Sequence, residues 1–232
     1  MISTSIFDGV LFELAGFKIM GSIVITWGLM LVLAVVAKAM TRRLKPEPSH
    51  LQAALEGAVA TMEDAIESVL PGRTALVFPF VATLWTYILF ANLIGLIPGL
   101  SSPTSDLSVT SALAFLVFLS VHWFGIKAEG LGKYLKHYLA PNPIMLPFHI
   151  ISEISRTVAL AVRLFGNVMS LEIAAVLVLM VAGFLVPVPL LMLHIVEAVI
   201  QAYLFGMLAL IYIAGGIQSQ ELRLQKEGKS SK

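Results

Sequence analysis

The chain of 232 residues is 58% hydrophobic and only 12% charged, and its mean hydropathy is +0.92. Because soluble domains carry about 25% charged residues, this composition excludes an ordinary soluble domain and indicates an integral membrane protein. The formal net charge of +1 gives no indication of a nucleic-acid partner. Without a cysteine, the chain can form neither a disulfide framework nor a thiolate metal site.

The apolar stretches predict five membrane-embedded helices, since each is long enough to supply the roughly 17–25 residues that a helix needs to cross hydrocarbon. The predicted elements are membrane spans at 19–37, 75–97 and 107–125, an amphipathic helix on the cytoplasmic side at 51–70, a steeply tilted helical hairpin at 145–182 and 188–217, and a cytoplasmic tail at 218–232. The predicted fold class is therefore all-α integral membrane, with residues 1–232 forming a single membrane domain.

Lys and Arg side chains lie mostly on one side of the predicted spans. Twelve of them fall between the first and second spans, between the third and fourth, and in the tail, whereas the opposite side has only Lys18. The positive-inside rule therefore puts the N-terminus outside and the C-terminus in the cytoplasm, which agrees with an odd number of spans. The first sixteen residues carry Asp8 and Glu13 and no basic residue, so we expect no cleavable signal peptide.

The amphipathic helix has an acidic rather than a basic polar face. A helix bound to anionic lipid normally carries Lys and Arg on that face. We therefore expect this helix to pack on the protein's own cytoplasmic side. Its apolar stripe consists of Leu51, Leu55, Val59, Met62, Ile66 and Val69, and its acidic residues are Glu56, Glu63, Asp64 and Glu67.

The fourth span is too long for an upright helix. Some 37 residues give about 55 Å of helix, whereas the hydrocarbon core is about 30 Å thick. Either the first turns lie outside the membrane or the helix is strongly tilted. Its polar residues favour tilt because they form a row, and the last span carries a second row. The rows are His149, Glu153, Arg156, Arg163, Asn167 and Ser170 in the fourth span, and His194, Glu197 and Gln201 in the fifth.

Arg163 is the residue that indicates function most clearly. No residue three or four positions from it is acidic, and a guanidinium cannot deprotonate in a protein. Holding this charge at mid-bilayer costs at least about 2.5–3.5 kcal/mol. We therefore expect its counter-charge to come from elsewhere, for example from another subunit.

An antiparallel hairpin would bring the two polar rows together. The pairings Arg163–Gln201 and Glu172–His194 both place the turn near residues 182–183, beside a glycine- and proline-rich break. A buried carboxyl can exchange protons near neutral pH, and histidine titrates in the same range. Glu172 and His194 are therefore candidates for a proton relay.

Several polar residues also have purely structural interpretations. Glu153 and Arg156 could neutralise each other at i,i+3 spacing, and His194 and Glu197 could form a similar pair. For Asn92, an interhelical hydrogen bond is favoured over a site. The sequence contains no phosphate loop, HExxH motif or nucleophile–base spacing, so we expect neither catalysis nor a metal site.

The sequence Arg163-Leu-Phe-Gly-Asn167, followed by Glu172 and His194, resembles the subunit a family of bacterial F-type ATP synthases. The resemblance extends to Asn-Leu-Ile-Gly-Leu-Ile-Pro at 92–98 and covers nearly the whole chain from about residue 56. In that family, subunit a is the stator half of a rotary ion channel, pressed against a ring of c subunits. The resemblance implies a non-catalytic membrane subunit with no cofactor.

The resemblance also implies roles for the matching positions. Arg163 would meet each ring carboxylate as it passes, and Gln201, which opens a Gln-Ala-Tyr run, would lie beside it. Asn167 closes the arginine motif and is included in the same site. The chain would then carry protons to and from the ring during ATP synthesis or ATP-driven pumping.

Two half-channels are implied on either side of that arginine. Glu172 and His194 match the acid and its partner in the half-channel open to the outside, and Glu197 adds a further acid one turn on. His149 and Glu153 would line the cytoplasmic half-channel. All of these residues, with the arginine, asparagine and glutamine, form the predicted ion-translocation site.

The expected partners are the c-subunit ring, the b-subunit peripheral stalk, the F1 sector through the complex, and membrane lipid, with no nucleic acid. The expected location is the bacterial inner (plasma) membrane. One alternative is the same subunit in a sodium-coupled rotary ATPase. Another is a self-contained secondary ion transporter, a class that usually has internal repeats, and the sequence shows no convincing repeat.

Overall fold

The computed structural model describes residues 10–14, 17–42, 50–97, 100–130, 146–182 and 188–230 of the chain. Five of its helices are long and apolar enough to cross a membrane, which confirms the predicted all-α membrane fold with its long C-terminal helices. The elements in chain order are strands β1 (Val10–Leu14) and β2 (Phe17–Met20), helices α1 (Gly21–Thr41), α2 (His50–Val69) and α3 (Thr74–Ile94), the 3-10 helix η1 (Pro103–Ser105), and helices α4 (Leu107–Glu129), α5 (Leu146–Ala182) and α6 (Val188–Ser230). The membrane helices are α1, α3, α4, α5 and α6.

Two features depart from the predicted elements. Strands β1 and β2 pair in antiparallel fashion, with Glu13 opposite Lys18, ahead of the first membrane helix. Helix α6 continues to Ser230, so the segment predicted as a tail is helical as far as that residue. The Glu, Leu, Arg and Lys residues of this segment favour a helix because they are strong helix formers. The hairpin turn was predicted near residues 182–183, and residues 183–187 lie outside the described residues.

Capping side chains and glycines with positive φ mark both ends of α4 and the corner between α2 and α3. Asp106 caps α4 by accepting a hydrogen bond from the Ser108 N–H at 2.9 Å, and α4 stops at Gly130, whose φ is +89°. At the corner between α2 and α3, Gly72 has a φ of +75°. Its N–H donates to the Glu67 carboxylate at 2.9 Å, so this corner is held from α2.

The core lies along α3 and α6, which pack against each other, while α5 packs mainly on α4. One buried cluster joins α1, α3, α4, α5 and α6 around Ile88, Leu164 and Phe205. A second cluster joins α2, α3, α4 and α6 around Ile66 and Ile213. The second cluster confirms that α2 packs on the protein itself.

That packing covers only part of α2. Ile66 is completely buried and Leu70 is 2% exposed, but Leu55 and Val59, nearer the start of the helix, are 43% and 44% exposed. The side of the membrane on which this helix lies remains a prediction.

Candidate functional site

The predicted polar row of α5 runs beside the stripe that packs into the core. Leu160, Leu164 and Val168, four residues apart, are buried, which is the spacing of one helix face. Arg163 is exposed, and Val162 next to it is 53% exposed. The arginine thus lies on an apolar surface that this chain leaves uncovered.

No counter-charge for Arg163 is supplied within the described part of the chain. Among those residues it forms no hydrogen bond or ion pair, whereas Arg156 on the same helix contacts Glu153 at 3.6 Å. The prediction that the partner must come from elsewhere is consistent with this geometry.

Gln201 does not have the partner that the hairpin register predicted. It is 2% exposed, and its Oε1 accepts a hydrogen bond from Asn167 Nδ2 at 2.8 Å. The predicted Arg163–Gln201 pairing is therefore wrong by about one helical turn. The physical reason is that the two amides satisfy each other in the seam between α5 and α6, while the charged side chain stays on the exposed face.

Glu172 and His194 both bond to the segment around the end of α3. The Ser102 N–H donates to Glu172 Oε1 at 3.0 Å, and His194 Nε2 lies 3.1 Å from the backbone oxygen of Asn92. His194 is 6% exposed and Asn92 is completely buried. The hairpin register predicted these two side chains to pair, but it did not predict their bonds to this segment.

A close approach at Gly95 supports this placement. A Cβ atom at Gly95 would lie 3.2 Å from Glu172 Oε1 and 3.2 Å from Ser102 Cβ. Contacts this short force the neighbouring atoms to move, so the glycine allows α5 and the turn to come together. Gly95 belongs to the Asn-Leu-Ile-Gly run whose resemblance to the family is noted above.

The hydroxyls of this turn complete a buried polar cluster. Ser102 Oγ lies 2.8 Å from the Ala91 backbone oxygen and 2.6 Å from Thr104 Oγ1, which lies 2.6 Å from Asn92 Oδ1. Ser102 and Thr104 are 2% and 0% exposed. We refer to Asn92, Ser102, Thr104, Glu172 and His194 as the α3-end cluster.

The other end of α5 has a different, more exposed polar group. Glu153 pairs with Arg156, whose guanidinium lies 5.0 Å from the centre of the Tyr212 ring. The predicted i,i+3 ion pair between Glu153 and Arg156 is therefore confirmed, while the role of Glu153 in ion translocation stays a prediction. His149 is exposed, and Glu197, one turn beyond His194 on α6, is half-buried.

The family model of the ATP synthase A chain matches residues 22–214. The chain belongs to this ATP synthase A chain family. It is 61% identical over 217 residues to "ATP synthase subunit a" of Legionella pneumophila (strain Corby), covering 93% of this chain and 94% of that protein. It is also 61% identical over 213 residues to "ATP synthase subunit a 2" of Pelobacter propionicus, covering 92% and 93%. With "ATP synthase subunit a" of Albidiferax ferrireducens it shares 46% identity over 217 residues, 92% of this chain and 94% of that protein.

Membership of the ATP synthase A chain family gives the chain its general setting. It is a multi-pass bacterial membrane protein of the Fo sector, and it works within an F-type complex together with other subunits. Ion transport and ATP synthesis are the processes of that complex. The chain is a membrane subunit of that complex.

Sequence reasoning missed Ser102 and Thr104 as parts of the site. The run Ser101-Ser-Pro-Thr-Ser-Asp106 is typical of a turn, but nothing in it indicates the helix on which the turn folds back. The side chain of Asn92 bonds to Thr104 of η1 rather than to another membrane helix, and it is the Asn92 backbone oxygen that lies near His194 of α6. The interhelical side-chain bond expected for Asn92 is therefore not the one that the structure shows. In the described residues, no group of three His, Cys, Asp or Glu side chains could hold a metal ion.

Proposed function

We propose that the chain is the stator ion channel of its complex, with two half-channels that carry protons to and from carboxylates on a rotating ring of c subunits. Arg163 acts where the two paths meet. The outer path contains Glu172, His194 and Glu197, and the cytoplasmic path contains His149 and Glu153. The ring, the b-subunit stalk and the F1 sector are the proposed partners, and ATP chemistry belongs to other subunits.

The observation that carries this proposal is the exposed Arg163 on an apolar face. An arginine in a membrane helix is costly unless it is paired, and within the described residues this one has no partner. A passing ring carboxylate supplies the missing charge once per step. A permanent partner within the chain would remove that function, because the arginine would then be neutralised before the ring arrives.

The proposed mechanism follows from the cost of burying charge. A ring carboxyl is neutral while it faces lipid, since its ionised form is too costly there. Beside Arg163 the ionised form is favoured, so the proton leaves into one half-channel. Rotation past the arginine then lets another proton load from the other half-channel. The fixed guanidinium charge also repels cations and so limits a direct leak between the two paths.

The hydrogen bond between Asn167 and Gln201 supports the position of Arg163. It crosses the seam between α5 and α6 one turn from the arginine and is largely shielded from solvent. It ties together the two helices that would face the ring. We propose that this amide pair holds α5 and α6 in register, so that the guanidinium stays at a constant height against the rotor.

The orientation of the two paths follows from the distribution of basic residues. The α3-end cluster lies at the ends of α3 and α5 and the starts of α4 and α6, whereas the described Arg42, Arg73 and Lys127 lie at the opposite helix ends. By the positive-inside rule, the cluster then faces the outside. The end of α5 with Glu153 and Arg156 then faces the cytoplasm. We propose that the protein lies in the bacterial inner membrane with its C-terminus in the cytoplasm.

ATP-driven acidification of inverted membrane vesicles that contain the whole complex tests this proposal. The variants are Arg163→Ala and, as a matched control, Arg42→Ala, an exposed arginine at the end of α1. We expect wild type and Arg42→Ala to acidify the vesicles and Arg163→Ala not to, with equal amounts of assembled complex. Normal pumping by Arg163→Ala contradicts the proposal. If wild type fails to acidify, sodium uptake by the same vesicles identifies a sodium-coupled complex.

A further inference from the structure

The α3-end cluster has more short contacts between polar oxygen atoms than its two hydroxyl protons can turn into hydrogen bonds. Three contacts run in a row, from the Ala91 backbone oxygen to Ser102 Oγ (2.8 Å), to Thr104 Oγ1 (2.6 Å) and to the Asn92 side-chain amide (2.6 Å). Ser102 and Thr104 supply one hydroxyl proton each. The third proton must therefore come from Asn92.

Asn92 supplies that proton only when its Nδ2, rather than its Oδ1, faces Thr104. A half-turn of the amide exchanges the two atoms without changing its shape. Asn92 then donates to Thr104, Thr104 to Ser102, and Ser102 to the Ala91 backbone oxygen, so that each contact is a hydrogen bond. The Thr104 N–H also donates to Ser102 Oγ at 3.3 Å, which is consistent with this direction.

Burial gives a second reason for the same orientation. With Oδ1 towards Thr104, the Nδ2 atom of Asn92 is buried and has no hydrogen-bond partner in the part of the chain that the structure describes. Orphaned buried N–H groups are rarer than under-satisfied carbonyl oxygens. After the half-turn, the amide atom left over is an oxygen with free lone pairs.

We propose that Ser102 and Thr104 are positioning residues of the outer half-channel. Their hydroxyls hold Asn92 so that its buried side-chain oxygen accepts a hydrogen bond from an internal water of the outer half-channel, and this water delivers a proton to Glu172 or His194. A hydronium ion held in this way transfers one proton to the Glu172 carboxylate or the His194 ring and remains as water. This inference rests on the proposed function and specifies its outer path.

The titratable side chains near this cluster come from three of the elements packed there. They are Glu172 on α5, His194 and Glu197 on α6, and Asp106 at the start of α4, whose carboxylate accepts from the Ser108 N–H. Loss of the hydroxyls changes the surroundings of Glu172 and His194 most directly. The pH dependence of transport is therefore the readout that separates positioning from simple packing.

The experiment compares Thr104→Val with Thr104→Ser in the whole complex, by ATP-driven acidification of inverted vesicles over a range of pH. Valine keeps the shape of threonine without its hydroxyl, and serine keeps the hydroxyl. Thr110→Val is the matched control, because Thr110 is equally buried but, among the described residues, its hydroxyl bonds only to backbone oxygens of Asp106 and Leu107. We expect Thr104→Val to pump about tenfold more slowly, because the loss of one buried hydrogen bond has an effect of this size. We also expect its pH profile to be displaced from that of wild type. Thr104→Ser and Thr110→Val should keep the wild-type rate and profile.

A wild-type rate and pH profile in Thr104→Val overturns the inference, as does an equal loss in Thr104→Val and Thr110→Val. If Thr104→Val does not assemble, Ser102→Ala is measured in its place, since it removes the next hydroxyl but keeps the N–H that holds Glu172. A displaced profile in that variant supports the inference, and a wild-type profile overturns it. Arg163→Ala separates the two proposals: if it is inactive while Thr104→Val is normal, only the inference fails.

Discussion

The two helices of the C-terminal hairpin are similarly apolar, but the fold uses them in opposite ways. In the most apolar stretch of α6, 50% of the residues are buried, whereas in that of α5 only 11% are. Helix α6 lies along α3 and contributes Phe205, Ala209 and Ile213 to the core. Helix α5 contacts mainly α4 and leaves most of its surface uncovered.

This difference shows why an arginine is tolerated on α5. On the covered helix, each polar side chain must find its partner within the chain, as His194 and Gln201 do. On the uncovered helix, Arg163 can remain unpartnered until another molecule supplies a charge. A helix whose packing is left incomplete by its own chain is thus suited to meet a moving partner.

The largest expected effect concerns neighbouring positions of α5. Leu164 is completely buried and Val162 is 53% exposed, so their truncation to alanine tests the division between the two faces. Leu164→Ala should lower the free energy of unfolding by about 2–5 kcal/mol, because it leaves a cavity in the core. Val162→Ala should change it by about 0.5 kcal/mol or less. Denaturant unfolding of the purified chain in detergent measures both, and equal losses would remove the distinction between the faces.

A smaller loss is expected where α6 approaches α3. A Cβ atom at Gly206 would lie 2.0 Å from Trp85 Nε1, whose N–H donates to the Tyr203 backbone oxygen at 3.2 Å. Gly206→Ala should therefore destabilise the chain by about 1–3 kcal/mol through overpacking. Gly215→Ala is the control on the same helix, since no atom of the described residues lies within 4 Å of its Cβ position. Thermal unfolding of the two variants measures the difference in stability between them. Equal midpoint temperatures would show that α6 can move away from α3.

The smallest effect is expected at the corner between α2 and α3. Hydrogen bonds from the Thr74 hydroxyl and the Gly72 N–H hold the pKa of Glu67 below its ordinary value of 4.5. A carboxyl with a lowered pKa in the folded state stabilises the fold above its unfolded pKa, and this contribution is lost as the pH falls through the folded value.

Glu67→Gln should therefore increase amide exchange in α2 at pH 7. The difference from wild type should fade as the pH falls below 4.5 and wild-type Glu67 becomes protonated. Hydrogen–deuterium exchange at both pH values measures it. Thr61→Val is a suitable control, because in the described part of the chain the Thr61 hydroxyl bonds only to the Gly57 backbone oxygen within α2. A difference that persists unchanged at low pH would show that the carboxylate charge is not responsible.

Much of the candidate site could be read from the chain because its chemistry is local. A guanidinium with no acid three or four residues away is visible in any sequence, and so is the periodicity that puts Arg163 and Asn167 on one face. The hydrogen-bond partners of the site residues were harder to predict. Gln201 was paired with Arg163 from residue spacing alone, yet it bonds to Asn167. A shift of one turn changes the partner without changing the hydrophobic pattern.

The sequence by itself determined the class of protein, the number of membrane helices and the identity of the unpaired charge. These follow from hydrophobic length and from the cost of a buried ion, which depend on composition and local order. Only the tertiary structure decided which helix of the hairpin is covered by the rest of the chain. It also decided that Ser102 and Thr104 fold back onto Glu172 and Asn92. The contact between Ser102 and Glu172 joins residues that are 70 positions apart in the chain. Such contacts depend on which surfaces bury each other, and neither propensity nor spacing encodes that choice.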